Sequence, residues 1–268
     1  MWCENIEAAR TALPTELGWF TSLTDVHLRT ATEVKSGVFL AEGEVVIRRA
    51  HAAGYRLLAV MAEPRWIAPL ADLLTDEVSV ITDSPAAMTE ITGYHVHRGA
   101  LAAYQRRPSD SAELILATAT RTLFIEGMVN HTNVGSIFRS AAAMRMDAVL
   151  LDRQCADPLY RRAIRTSMGT VFQLPWGRTE LSHLREVADL TMVALTPSVD
   201  ARDIREVEWE SISRLTLMVG TEGQGLSKAA MDAADFAVTI PMAGGVDSLN
   251  AAAATAVACH EIMRGRDG

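Results

Sequence analysis

The chain has 268 residues and a formal net charge of −8, with 25 Lys and Arg against 33 Asp and Glu. This length leaves room for two modest domains or one large one, and hydrophobic residues make up 49% of the chain, which is enough to bury a sizeable core. The acidic balance argues against a protein coated in basic surface, so any contact with nucleic acid has to come from local patches. Its three cysteines are far apart and form no CxxC pair, which favours reduced thiols in a cytoplasmic protein over a disulfide framework or a zinc site.

Neither a targeting segment nor a membrane span is predicted. The N-terminus holds acidic residues and no uninterrupted apolar core, unlike a signal peptide. A membrane helix needs roughly 20 apolar residues, and the apolar run at 249–259 is too short. We therefore expect no contact with a membrane.

The first part of the chain alternates between helical and extended patterns. Helices are predicted over 25–32, 44–53, 66–74 and 84–91, and strands over 56–61 and 78–81. This alternation describes a small α/β domain. The polar, proline-containing segment RRPSDS at 106–111 then suggests a boundary between domains 1–107 and 112–268, although it could also be a surface loop inside one domain.

The second part is more regular. Strands are predicted over 122–126, 148–151, 171–174, 191–195, 215–219 and 236–240, and helices over 133–144, 159–168 and 180–188. This pattern predicts an α/β fold whose sheet has about six mostly parallel strands with helices on both faces.

Two glycine-rich turns follow the last two predicted strands. The first contains Gly220, Gly223 and Gly225, and the second contains Gly244 and Gly245. Ligands of open α/β sheets bind at the carboxyl ends of the strands, so two such turns suggest one pocket. Ordinary strand-to-helix connections are the alternative.

Polar residues also follow the strand at 122–126. Asn130 or Thr132 can cap the next helix, and Asn133 and Arg139 are expected near one end of it, facing similar space. An arginine there suits a phosphate, although Arg139 could instead pair with a surface carboxylate. A second basic group could contact phosphate or merely form a solvated helix face; it consists of Arg153, Arg161, Arg162 and Arg165.

Several familiar sites are disfavoured. His95 and His97 form an HxH pair with no third ligand apparent, so no metal site is predicted. The turn at Gly223 lacks the lysine of a Walker loop, and no GxGxxG follows the first strand of the second part. The sequence therefore disfavours ATP hydrolysis and ordinary dinucleotide binding.

Three motifs in order resemble the SPOUT superfamily of knotted methyltransferases, in its SpoU/TrmH-like branch of RNA 2′-O-ribose methyltransferases. They are NVGSIFRSA from Asn133, VGTEGQGLS from Val219 and IPMAGGVDSLN from Ile240. RTSMG from Arg165 resembles a segment between the first two motifs, and FLAEG from Phe39 resembles an accessory domain with a ribosomal-protein-like α/β fold that helps recognise RNA.

The resemblance implies a C-terminal catalytic domain with a deep trefoil knot that holds S-adenosylmethionine, and a homodimer in which two subunits complete the site. Topology rules make knots very rare, so periodicity alone would not indicate one. By this match the cofactor pocket would consist of Leu195, Thr196, Gly220, Glu222, Gly223, Ile240, Met242, Ser248 and Leu249.

The same match implies a reacting centre made of Asn133, Arg139, Glu222, Ser248 and Asn250. In the family the arginine is the proposed activator of the ribose 2′-OH. A guanidinium is a poor proton acceptor, so we expect Arg139 to bind the adjacent phosphate and stabilise the developing alkoxide, with phosphate or water taking the proton.

Two features depart from the family pattern. The net charge is acidic, so RNA binding should depend on the arginines at 153–165 and on Arg98, Arg106 and Arg107 of the accessory domain. His131 and Thr132 stand where many relatives carry Pro-Gly.

The leading hypothesis is an RNA ribose 2′-O-methyltransferase acting on ribosomal or transfer RNA. The alternatives are a catalytically idle RNA-binding protein of the same fold, a base-methylating relative and a dinucleotide oxidoreductase.

Overall fold

The computed structural model describes residues 1–24, 33–96, 98–198 and 200–264. The chain divides into two compact units. The first comprises Met1–Pro108 and Leu159–Phe172, and the second comprises Ser109–Pro158 and Gln173–Gly268. The division after Pro108 falls within the segment expected to separate two domains. The assignment of residues 159–172 differs from the expected 112–268 domain, because this stretch packs with the first unit. The predicted helix at 25–32 lies outside the described residues.

The first unit is built on a five-stranded sheet of order β1-β4-β3-β5-β2. Its strands are β1 (Trp2–Cys3), β2 (Val38–Glu42), β3 (Leu57–Ala62), β4 (Ser79–Thr82) and β5 (Ala100–Gln105). Strand β5 runs antiparallel to β2 and to β3, whereas β4 is parallel to both of its neighbours. Strands β2 and β5 were not predicted. Both are almost wholly buried, so they lack the alternation that marks a half-buried strand.

Helices of the first unit follow the predicted pattern in part. They are α1 (Ile6–Ala12), α2 (Pro14–Trp19), α3 (Glu44–Ala52), α4 (Ile67–Leu70) and α5 (Pro85–Thr92). Ser84 caps α5 by accepting a hydrogen bond from the Ala87 N–H at 3.3 Å, as its position predicted. The helix predicted over 66–74 is wrong as a single element, because α4 is flanked by 3₁₀ turns at Pro64–Trp66 and Ala71–Leu73.

The second unit contains a seven-stranded sheet of order β10-β12-β9-β11-β6-β7-β8, in which every pairing is parallel. The strands are β6 (Arg121–Ile125), β7 (Ala148–Leu151), β8 (Trp176–Arg178), β9 (Thr191–Leu195), β10 (Arg202–Asp203), β11 (Leu215–Val219) and β12 (Phe236–Thr239). The predicted α/β fold with a parallel sheet is thus confirmed. The strand predicted at 171–174 is wrong. Residues Thr170–Phe172 form a 3₁₀ turn, and β8 begins just after Pro175.

Most helices around this sheet begin at a side-chain cap that the sequence supplies, whereas the helix that follows Glu180 begins without one. The helices are α6 (Ala112–Thr118), α7 (His131–Ala143), α9 (Leu181–Arg185), α10 (Lys228–Ala233) and α11 (Ala251–Met263). Asn130 caps α7 by accepting from the Thr132 N–H at 2.9 Å, so the His131-Thr132 departure still allows a regular helix start. Helix α7 packs against α11. In the described parts of the chain, helices are too short or too polar to cross a bilayer.

Residues 159–172 are built into the first unit through named contacts. This segment contains helix α8 (Arg161–Thr166). The Arg161 guanidinium lies 3.3 Å from a Glu42 carboxylate oxygen and 4.4 Å above the Tyr94 ring. The Arg49 guanidinium donates a 2.6 Å hydrogen bond to the Met168 carbonyl. The segment is therefore anchored by charge and by hydrogen bonding, although its sequence lies between two motifs of the second unit.

Candidate functional site

A cavity of about 510 Å³ lies at the carboxyl edge of the second unit's sheet. It opens where β9, β11 and β12 end, which is where ligands bind in open α/β sheets. The nine residues predicted to hold a cofactor all line it: Leu195, Thr196, Gly220, Glu222, Gly223, Ile240, Met242, Ser248 and Leu249. The structure therefore brings together three segments that are separated in the sequence.

The first glycine-rich turn folds back on itself. Thr221 and Gly225 exchange backbone hydrogen bonds of 3.1 and 3.0 Å. A Cβ atom on Gly220 would lie 2.1 Å from the Gly225 carbonyl carbon, so a side chain at Gly220 is sterically excluded. Gly223, with φ of +92°, occupies the left-handed region that glycine favours. The glycines are therefore needed to form one wall of the cavity.

Asn250 contacts two other predicted catalytic residues. Its side-chain oxygen caps α11 by accepting from the Ala252 and Ala253 N–H groups at 3.0 and 3.3 Å. Its amide nitrogen donates to the Asn133 side-chain oxygen at 3.3 Å and also to the Glu222 carboxylate. One amide thereby fixes the start of a helix and joins the exits of β6 and β11.

Ser248 and Arg139, the other predicted catalytic residues, occupy different surroundings. Ser248 is exposed and lines the cavity. Arg139 is exposed on α7 and is not among the described residues that line the cavity, whereas Asn133 on the same helix is buried. Six residues of helix place the two about 9 Å apart along the axis and about 120° apart around it. The expectation that Asn133 and Arg139 face similar space is therefore wrong within one chain.

The charge of the cavity lining is negative. Two lining residues, Glu222 and Asp247, are carboxylates, and none of the described lining residues is Lys or Arg. Leu195, Ile240 and Met242 add apolar surface. A partly apolar wall with two carboxylates suits a ligand that carries positive charge beside a flat apolar ring.

Sequence reasoning missed part of the lining. Four of these residues lie inside the quoted motifs but were not assigned to the pocket, and extending the motifs by one residue would have added Thr239 and Ala251. The missed residues are Pro197, Val219, Thr221, Gly225, Thr239, Asp247, Ala251 and Ala254. Ala254 lies one turn into α11. It could be found only from the helical register.

The predicted RNA-contacting arginines fall into two groups. The Arg161 and Arg106 side chains are each 15% exposed; Arg161 pairs with Glu42, and Arg106 donates to the Val38 carbonyl. Arg107 stacks on the Tyr55 ring at 4.0 Å. Arg107 and the remaining four are exposed; these four are Arg98, Arg153, Arg162 and Arg165. The hypothesis that Arg161 belongs to a solvent-facing basic patch is therefore wrong, because its charge is used inside the first unit.

The structure offers little support for thiol or metal chemistry near the cavity. Burial raises the pKa of the Cys155 thiol to about 12, and its sulfur donates to the Ile125 carbonyl. A thiol held neutral in this way is a poor nucleophile. Within the ranges that the structure describes, no group of three or more His, Cys, Asp or Glu residues could hold a metal ion. His97 of the HxH pair lies outside those ranges.

Comparison with known proteins gives consistent matches. The model of the SpoU rRNA Methylase family matches residues 120–260. An uncharacterized tRNA/rRNA methyltransferase of Mycobacterium bovis is 38% identical over 252 residues, which cover 91% of this chain and 87% of that protein. A protein of Mycobacterium tuberculosis with the same description is also 38% identical over the same shares of both chains.

Solved structures share the fold over nearly the whole chain. The SpoU methyltransferase AviRb from Streptomyces viridochromogenes, in complex with AdoMet, has a TM-score of 0.79 at 22% identity and covers 94% of this chain and 98% of its own. An AdoMet-bound rRNA methyltransferase from Sinorhizobium meliloti has a TM-score of 0.80 at 20% identity, with 98% and 97% covered. A structure described as an RNA 2′-O ribose methyltransferase has a TM-score of 0.74 at 25% identity, with 99% of both chains covered.

The family match spans more than half of the chain, and the mycobacterial relatives extend the similarity over most of the rest. These matches confirm the resemblance carried by the three motifs. The chain belongs to the SpoU rRNA methylase family, and it is a methyltransferase of the SpoU/TrmH-like branch of the SPOUT superfamily.

Proposed function

We propose that this protein transfers a methyl group from S-adenosylmethionine to a ribose 2′-OH of ribosomal or transfer RNA. The observation that carries the proposal is the hydrogen-bonded group of Asn133, Glu222 and Asn250 beside the 510 Å³ cavity. Polar groups held at the mouth of a partly apolar pocket can orient a second substrate against a bound cofactor.

The lining fits S-adenosylmethionine. The cofactor carries a sulfonium and an ammonium group, which suit the carboxylates of Glu222 and Asp247. Its adenine suits the apolar side chains of Leu195, Ile240 and Met242, and the glycines of the first turn permit close backbone approach. When bound, the cofactor supplies a methyl carbon on positively charged sulfur. The AdoMet complexes of structurally similar methyltransferases support this assignment.

The residues of this chain would position the nucleophile. The amides of Asn133 and Asn250 and the hydroxyl of Ser248 can hold the ribose or the attacking group in line, and orientation alone can supply much of the rate. Arg139 binds the phosphate next to the target ribose and stabilises the alkoxide that develops on the 2′ oxygen. The proton leaves to that phosphate or to water, since a guanidinium already carries its protons.

A second copy of the chain completes the site in this proposal. Arg139 lies on an exposed face of α7 and does not line the cavity of its own chain. A homodimer can bring Arg139 of one chain to the cavity of the other. The proposal also includes a trefoil knot in the second unit, RNA recognition by residues 1–107, catalysis by residues 112–268, and a cytoplasmic location.

Ribose is favoured over base as the methyl acceptor. The three motifs resemble those of ribose 2′-O-methyltransferases, and one structure that covers 99% of this chain is described as an RNA 2′-O ribose methyltransferase. Mapping 2′-O-methylation across total RNA with and without the gene tests this directly. A site lost only without the gene identifies the nucleotide, whereas loss of a base methylation alone would refute the choice of ribose.

Arg139→Ala tests the catalytic assignment. We expect methyl transfer to fall to background while the dissociation constant for S-adenosylmethionine stays within about threefold of wild type, because Arg139 does not line the cavity. An unchanged rate of methyl transfer would refute the proposed catalytic role of Arg139. The same titration separates the enzyme from a catalytically idle RNA-binding protein, which need not bind the cofactor.

Mixing two inactive variants tests the contribution of the second copy. If Arg139 acts in the partner's site, an equal mixture of Arg139→Ala and Asn250→Ala dimers should regain about a quarter of the wild-type sites after subunit exchange, because each mixed dimer then has one intact site. If Arg139 acts within its own chain, every site in the mixture carries a defect and no activity returns.

A further inference from the structure

The residue that follows β6 contacts both ends of the first glycine-rich turn. The backbone N–H of Glu126 donates to the Val219 carbonyl at 2.9 Å, just before the turn begins. Its carboxylate accepts two hydrogen bonds from Ser227, one from the backbone N–H at 2.7 Å and one from the hydroxyl at 2.8 Å. A single residue on a neighbouring strand therefore fixes the start and the end of residues 220–227.

The contact with Ser227 is also linked to a helix start. The Ser227 hydroxyl oxygen accepts a hydrogen bond from the Ala230 N–H at 3.1 Å and so caps α10. While it accepts from α10, the hydroxyl donates its proton to Glu126. A carboxylate suits this position because its two oxygens accept from two donors at once, and such charge-assisted bonds are stronger than neutral ones.

The adjoining residue packs against the same turn. Gly127 has φ of +64°, and a Cβ atom there would lie 3.1 Å from the Thr221 methyl carbon. Three glycines leave this turn with much backbone freedom, which has to be lost before its residues can line a cavity. The hydrogen bonds of Glu126 remove part of that freedom before any ligand binds.

We propose that Glu126 is a positioning residue that holds residues 220–227 in the conformation that binds the cofactor. It does not line the cavity itself; it acts through Ser227. The inference rests on the proposed function, because it concerns the cofactor of that same site.

Replacing Glu126 should weaken cofactor binding more than it slows turnover. For Glu126→Ala we expect the dissociation constant for S-adenosylmethionine and for S-adenosylhomocysteine to rise about 10- to 100-fold, as the loss of two charge-assisted hydrogen bonds implies. With saturating cofactor, kcat should stay within about threefold, and the KM for RNA should not change. Glu126→Gln keeps one acceptor oxygen, so the dissociation constant for the cofactor should rise only about three- to tenfold.

A matched pair on another helix provides the control. Ser111 caps α6 by accepting from the Leu114 N–H at 3.4 Å, and its hydroxyl contacts the Glu113 carboxylate. Glu113→Ala and Ser111→Ala therefore remove a serine hydroxyl–carboxylate contact and a serine cap at a site that does not line the cavity. Both should leave cofactor binding unchanged, and Ser111→Ala reports the cost of losing a serine cap.

A double-mutant cycle and hydrogen exchange decide the inference. Glu126→Ala should weaken cofactor binding less in a Ser227→Ala background than in wild type, because the hydroxyl partner is already absent and only the hydrogen bond from the backbone N–H of residue 227 remains to be lost. Amide exchange across residues 220–227 of the cofactor-free protein should be faster in Glu126→Ala and unchanged in Glu113→Ala. Additive effects of Glu126→Ala and Ser227→Ala, or unchanged exchange, would overturn the positioning role. If the wild-type protein binds no S-adenosylmethionine, the proposed function fails, while the exchange measurement still tests whether Glu126 orders the turn.

Discussion

Asn250 has two roles that a pair of substitutions can separate. Its side-chain oxygen caps α11, and its amide nitrogen donates to Asn133 and Glu222. Asn250→Ala removes both roles. Asn250→Asp keeps an oxygen for the cap but replaces the donor with a second carboxylate oxygen that faces Glu222. We therefore expect the two variants to agree in activity and to differ in stability.

The stability difference follows from the cap. Losing an asparagine cap costs about 1 kcal/mol, within a range of about 0.5–2 kcal/mol. Aspartate is an equally good cap and gains about 0.3–1 kcal/mol from the helix dipole, which opposes its repulsion with Glu222. Because residues 222 and 250 are both exposed, solvent screens that repulsion. The free energy of unfolding of Asn250→Asp, measured by urea denaturation, should therefore be about 1 kcal/mol higher than that of Asn250→Ala.

Activity should fall in both variants, because each breaks the link between Asn133 and Glu222. We expect methyl transfer to drop about 100-fold or more, the loss typical of misplaced reacting groups. Adding Glu222→Gln to Asn250→Asp restores a donor and an acceptor with exchanged roles, so it should recover part of the activity. Full activity in Asn250→Asp would refute the need for the amide donor, and equal stability of the two single variants would refute the cap.

Three further changes test other parts of the structure. Arg161→Ala leaves the buried Glu42 carboxylate without its guanidinium and should lower the free energy of unfolding by about 3–5 kcal/mol, whereas the exposed Arg162→Ala should change it by less than about 0.5 kcal/mol; denaturant titration compares them. Gly220→Ala places a Cβ atom 2.1 Å from backbone, so calorimetry should detect no cofactor binding. Burial raises the pKa of the Cys259 thiol to about 12, above its unfolded value near 8.5. Its contribution to stability is therefore complete below about pH 8.5 and is lost as the pH rises toward 12, by up to about 1.4 kcal/mol per pH unit, and Cys259→Ala should flatten this slope.

The residues that line the cavity were predicted from the sequence more successfully than the side-chain packing elsewhere in the chain. The family resemblance identified Gly220, Met242 and Ser248 as pocket residues, because the motifs that carry it are short stretches of contiguous sequence. The environment of Arg161 depends on Glu42, which lies far away in the chain. A pattern within one helix cannot distinguish a guanidinium that faces solvent from one that pairs with a distant buried carboxylate. Strand β5 was missed for a related reason, since a wholly buried strand rich in alanine has no periodic signature.

The strand order explains why residues from distant segments meet at one site. Strand β9 lies between β12 and β11, so Leu195 at its end is flanked by the two glycine-rich turns. Strand β6 lies on the other side of β11, which places the exit that carries Glu126 and Asn133 beside the first of those turns. The cavity and the hydrogen-bonded amides thus occupy adjacent strand exits of one parallel sheet. A change that weakens Glu126 should therefore affect cofactor binding first, and a change at Asn250 should affect both sides of the site.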